Sequence, residues 1–68
     1  MTAREIIRKI KELGGAVVRQ KGSHVRVRCR CGKNMTTVPD HGAQDVPLGT
    51  MRAIERDLKD CFGMRWLR

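Results

Sequence analysis

A chain of 68 residues and 7.8 kDa has material for one hydrophobic core and not two, so residues 1–68 are expected to form a single domain. Lys and Arg number 15 against 7 Asp and Glu, a net charge of +8, while hydrophobic residues make up 40% and Phe62 and Trp66 are the only aromatics. Neither a transmembrane span nor a signal peptide is expected, because Arg4, Glu5, Arg8, Lys9 and Lys11 interrupt the N-terminal apolar residues. The expectation is a cytoplasmic protein with a thin core that gains stability from any partner of its folded state.

Thr2-Ala3-Arg4-Glu5 has the spacing of a capping box, in which a threonine hydroxyl and a glutamate three residues later satisfy each other's backbone amides. A helix should follow, with Ala3, Ile6, Ile7, Ile10 and Leu13 on one apolar stripe and Gly14-Gly15 ending it. Ala16 to Gln20 reads as a short strand and Lys21-Gly22-Ser23 as a hairpin turn. From His24 to Arg30 strict alternation sets Val25, Val27 and Cys29 on one face and His24, Arg26, Arg28 and Arg30 on the other. A turn at Gly32-Lys33-Asn34 leads to a third strand, Met35 to Val38, ended by Pro39. After a loop from Asp40 to Pro47, Thr50 is the expected cap of a second helix that buries Met51, Ile54 and Leu58 and stops at Gly63. Residues 62–68 form a tail whose Trp66 and Leu67 either fold back on the core or pack on a partner.

The resulting order is α-β-β-β-α, an α+β fold with a three-stranded antiparallel sheet and both helices on one face. The other face would carry the charge. No acid lies between Glu12 and Asp40, a stretch that holds Arg19, Lys21, Arg26, Arg28, Arg30 and Lys33, whereas acids and bases cancel from Asp40 onward. A surface of this kind suits a polyanion such as nucleic acid, and these six cations are the candidate RNA-binding residues. His24 shares the face, and read alone a single histidine there serves binding or structure as readily as catalysis.

The three cysteines point away from a disulfide framework. Cys29 and Cys31, one residue apart in an expected strand, are read as poor disulfide partners. A zinc module from Cys29, Cys31 and Cys61, with His41 as a fourth ligand, is the weaker reading: Cys-x-Cys is a poorer signal than Cys-x-x-Cys, and no second pair completes the tetrahedron. Reduced thiols, no metal and no cofactor are therefore expected.

The opening helix, Arg19-Gln20-Lys21-Gly22-Ser23-His24, Thr36-Thr37-Val38-Pro39 with His41, and Leu48-Gly49-Thr50-Met51-Arg52-Ala53-Ile54 together resemble the HicA family of toxin ribonucleases, over nearly the whole chain. The resemblance implies a sheet similar to the double-stranded-RNA-binding domain, metal-independent cleavage of messenger RNA, and inhibition by a HicB-like antitoxin. It makes the histidine of the Gly-Ser-His element, His24, the catalytic residue, and gives His41 no established role. The Cys29-Arg30-Cys31-Gly32 hairpin and the tail after Asp60 depart from the family's commoner pattern.

The chemistry asked of one histidine is modest. RNA brings its own nucleophile in the 2′-hydroxyl, and imidazole, whose unperturbed pKa is about 6.5, is a usable base near neutral pH. Lys21, Arg26 and Arg28 are the nearest cations for the phosphate, and Ser23 and His41 are auxiliary candidates, each of which also suits a plain turn residue. No acidic cluster in the strand region would hold the magnesium ions of a two-metal nuclease. The rival function is a non-catalytic double-stranded-RNA-binding module of the same fold. Such modules grip phosphates with a lysine-rich start of the second helix, and Leu48-Gly49-Thr50-Met51 has no cation.

Overall fold

In the computed structural model, which describes residues 1–68, helix α1 (Ala3–Glu12) begins with the capping box in place. The Thr2 amide donates to Glu5 Oε1 at 2.8 Å and the Glu5 amide to Thr2 Oγ1 at 3.3 Å. Ala3, Ile6 and Ile10 are fully buried along its inner side. The helix stops at Gly14 (φ +93°), and Gly15 is forced by close approach, since a Cβ there would sit 2.5 Å from Ile10 Cγ2 and 2.7 Å from the Arg28 carbonyl oxygen.

Strands β1 (Ala16–Lys21), β2 (His24–Arg28) and β3 (Met35–Pro39) form an antiparallel sheet in that spatial order, and helix α2 (Leu48–Phe62) returns across it. The order α-β-β-β-α is the one the periodicity anticipates. Val25, Val27 and Val38 of the sheet pack with Ile6 and Ile10 of α1 and Ile54 and Leu58 of α2 in one core, so both helices cover the same face. No helix is long and apolar enough to cross a membrane.

Helix α2 starts earlier than the sequence suggests. Pro47, with φ −56° and ψ 146°, occupies the cap position and its carbonyl accepts the Met51 amide at 2.9 Å, which places Thr50 inside the first turn instead of at the cap. The proline ring presets the backbone for the first turn, so no side-chain cap is needed to define it. At the other end the tail folds back. Trp66 and Leu67 are buried, the indole Nε1 donates to the Glu55 carbonyl at 2.8 Å, and the Trp66 ring meets Phe62 edge-on at 5.2 Å.

The second departure from expectation lies at the β2–β3 turn. Strand β2 ends at Arg28, because the Cys29 amide donates to the Asn34 carbonyl at 2.9 Å and the Gly32 amide to the Cys29 carbonyl at 3.0 Å. Cys29 still falls on the core side with Val25 and Val27, as the alternation anticipates, but the chain then turns, and the sulfurs of Cys29 and Cys31 lie 3.0 Å apart. Burial pushes the Cys29 thiol up, but hydrogen bonds from the Cys31 thiol, the Asn34 amide and the Cys61 thiol outweigh it and bring the group down to about 6. Arg30 likewise leaves the arginine row, its stem lying against Gly14.

Candidate functional site on the open face of the sheet

Strict alternation from Val17, on the helix-covered face opposite Val27, would turn Arg19 and Lys21 inward. The register prevents this. Val17 pairs with Val27, but Arg19 pairs with Arg26, Gln20 with Val25 and Lys21 with His24, so Val18 is an extra residue in a bulge. A bulge inserts one unpaired residue and reverses the facing of everything beyond it. Arg19 and Lys21 therefore stand on the open face beside Arg26 and His24.

These side chains line an open depression of about 510 Å³ together with Val18, Met35 and Thr37. His24 sits at its end, between Lys21 of β1 and Pro39 of β3. Arg26 is held by a hydrogen bond from its Nη1 to Thr37 Oγ1 at 3.0 Å. The lining contains no carboxylate, and the chain's ion pairs involve Asp45, Asp57 and Glu55 with the N-terminus, Arg56 and Arg68. Arg19, Lys21 and Arg26 are thus unneutralised cations held at strand spacing, a surface that favours bound phosphate.

The family model for the HicA toxin of bacterial toxin-antitoxin systems matches residues 3–61. The chain belongs to the HicA toxin family. No curated protein and no solved structure matches it. Membership in the HicA family makes it a toxin of a toxin–antitoxin system and implies an antitoxin partner.

In this HicA chain the fold collects some of the sequence-derived site residues and separates others. Arg19, Lys21, His24 and Arg26 meet in the depression. Arg28 shares the open face one row further along, paired with Met35. Arg30 and Lys33 lie in the β2–β3 turn, at the end of the hairpin away from His24. Ser23 belongs to the β1–β2 turn, where its carbonyl accepts the Asp40 amide at 2.6 Å. His41 is exposed on the next loop, beside an Asp40 side chain that accepts the Gly42 amide at 3.0 Å.

Thr37 was legible as part of the family motif but not as a functional group. The signal was available: Val38 is buried, so alternation in β3 turns Thr37 outward, and antiparallel pairing sets it opposite Arg26. Its neighbour Thr36 points inward and donates to Asp57 Oδ2 of α2 at 2.9 Å. The adjacent threonines thus divide their work, one tying sheet to helix and one holding the guanidinium.

Proposed function

We propose that this HicA-family chain is a metal-independent endoribonuclease that cleaves messenger RNA, with His24 as general base. What supports the reading most directly is the bulged register that sets Lys21, Arg19 and Arg26 around an exposed histidine on an otherwise uncovered sheet face.

In this mechanism the His24 imidazole takes the proton of a 2′-hydroxyl. The 2′-oxygen attacks the adjacent phosphorus, the 5′-oxygen departs, and the products are a 2′,3′-cyclic phosphate and a 5′-hydroxyl. Arg26, fixed by Thr37, and Lys21, in register with His24, hold the scissile phosphate and balance the charge that builds on it. Arg19 and Arg28 grip neighbouring phosphates along the strands, while Arg30, turned toward Gly14, and Lys33 add positive charge at the far turn of the hairpin. Ser23 and His41 serve as auxiliary groups, His41 facing the solvent from which the departing oxygen is protonated. General base assistance of this type contributes about 10² to 10⁴ in rate, and positioning supplies the rest.

A HicB-like antitoxin with an acidic surface would silence the toxin by covering the same face, where its carboxylates meet unneutralised cations. The deciding experiment is His24→Ala. RNA cleavage is expected to vanish while the circular dichroism spectrum and RNA affinity persist, and a folded variant that still cleaves would overturn the assignment. Fragments ending in 3′-hydroxyl and 5′-phosphate would overturn the chemistry.

A further inference from the structure

The β2–β3 turn and the end of α2 carry a second cluster of functional side chains. The Sγ atoms of Cys29, Cys31 and Cys61 all lie within 4.8 Å of one another, and the shortest separation is 3.0 Å, between Cys29 and Cys31. Zinc–thiolate bonds of about 2.3 Å in a tetrahedron put sulfurs about 3.8 Å apart, inside that range. Two backbone amides already point at sulfur: Asn34 donates to Cys29 Sγ and Cys31 to Cys61 Sγ, each at 3.4 Å. Amide hydrogen bonds of this kind orient thiolate ligands and offset their charge.

The local backbone is shaped to make the three converge. Gly32, at φ +77°, lets the chain turn back after Cys31. Cys61, in the last turn of α2, is brought to the same point from far along the sequence. Exposure is graded, with Cys29 buried, Cys61 half-buried and Cys31 open, so the cluster has one side toward solvent.

We propose that Cys29, Cys31 and Cys61 form a zinc site that ties the β2–β3 turn to the last turn of α2, with solvent water as the fourth ligand. The donor set is soft, which selects zinc over magnesium or calcium. His41 is not the fourth ligand, because its loop follows Pro39, which pairs with His24 at the opposite end of the hairpin. The distance from His24 to Cys29 along β2 is about 17 Å at strand rise, so the zinc stands apart from the RNA-facing depression. Its part is structural. It fastens the turn to the helix end in a chain whose core is small, and ties metal binding to folding.

The test uses the full chain, reduced and freed of metal. It is expected to bind one zinc ion per chain, and cobalt(II) in its place should give the intense visible bands of a tetrahedral site with sulfur-to-cobalt charge transfer. Zinc should raise the melting temperature of the native chain. Cys31→Ser, at an exposed position, should fold, lose charge-transfer intensity and bind zinc at least about tenfold more weakly; Cys61→Ser should behave likewise. His24→Ala and His41→Ala should keep the full metal signal, which separates this site from the ribonuclease reading. Three thiols freely reactive toward Ellman's reagent in the folded chain with equimolar zinc, a weak octahedral cobalt spectrum, or a Cys29–Cys31 disulfide in freshly isolated protein would each overturn the proposal.

Discussion

Arg19 and Arg26 face each other in register across β1 and β2, two like charges on the open sheet face with no carboxylate between them. Directly opposed like charges cost a few tenths of a kcal/mol or more in a free sheet, and a bound phosphate converts that cost into attraction.

Arg19→Gln should therefore raise the melting temperature of the free protein slightly while weakening RNA binding. With one fewer phosphate contact, the slope of log affinity against log salt should fall by about 0.7 for a single-stranded RNA. A variant that is both less stable and unchanged in salt slope would show that the pair is not an anion site.

The bulge at Val18 gives a second outcome. Removing Val18 leaves Val17 opposite Val27 and Arg19 opposite Arg26 in a regular ladder, so the faces of Arg19 and Lys21 are preserved. The deletion should fold and keep RNA affinity within about twofold. Inserting one alanine after Val18 instead adds a second unpaired residue, and affinity should drop with the misplacement of Arg19 and Lys21. Binding isotherms of the two variants beside the parent decide the matter.

Thr37 fixes the Arg26 guanidinium through one hydrogen bond at 3.0 Å. Thr37→Val keeps the side chain's shape and removes the acceptor. A net hydrogen bond of about 0.5–1.5 kcal/mol corresponds to a two- to twelve-fold loss in kcat/KM. The same substitution at Thr36, which bridges to Asp57, should lower the melting temperature and leave cleavage by the folded fraction unchanged.

How much of this was legible before the fold was known depended on whether the pattern was local. Helix α1 was, because its capping box and apolar stripe lie within consecutive residues. The alternation of β2 was also plain from Val25 and Val27. The bulge was not, since Val17 and Val18 are both apolar and either can face the core; only pairing with β2 decides. The cysteine cluster was hidden because it depends on a turn and on a long-range contact that no local pattern carries: the bonds of Cys29 with Asn34 and Gly32 shape the turn, and Cys31 there meets Cys61, 30 positions away. His24 was placed on the open face by period alone, and the catalytic role proposed for it rests on the family resemblance.

Chelation separates the two sites. The depression around His24 offers no carboxylate or thiol ligand, so cleavage in EDTA should continue at the rate seen without it, per folded molecule, as followed by circular dichroism. Loss of cleavage with an intact spectrum would contradict a metal-independent His24 mechanism.

The tail contributes a stability prediction. Trp66 is buried, donates to the Glu55 carbonyl, and is followed by Leu67, whose amide reaches Glu55 Oε2 at 3.2 Å. Truncating a buried tryptophan to alanine costs about 3–5 kcal/mol, comparable with the whole stability expected of a domain this small. Trp66→Ala should therefore be largely unfolded at 37 °C, while Trp66→Phe, which keeps the apolar bulk and loses the indole donor, should fold with reduced stability. Glu55→Gln isolates the carboxylate: it keeps an acceptor for Leu67 but loses the ion pair to Arg68 at 3.0 Å. Its stability should lie between the parent and Trp66→Phe in urea titrations. If Trp66→Ala melted as the parent does, the tail would contribute nothing to the core, and the buried indole would have to be regarded as exchanging freely with solvent.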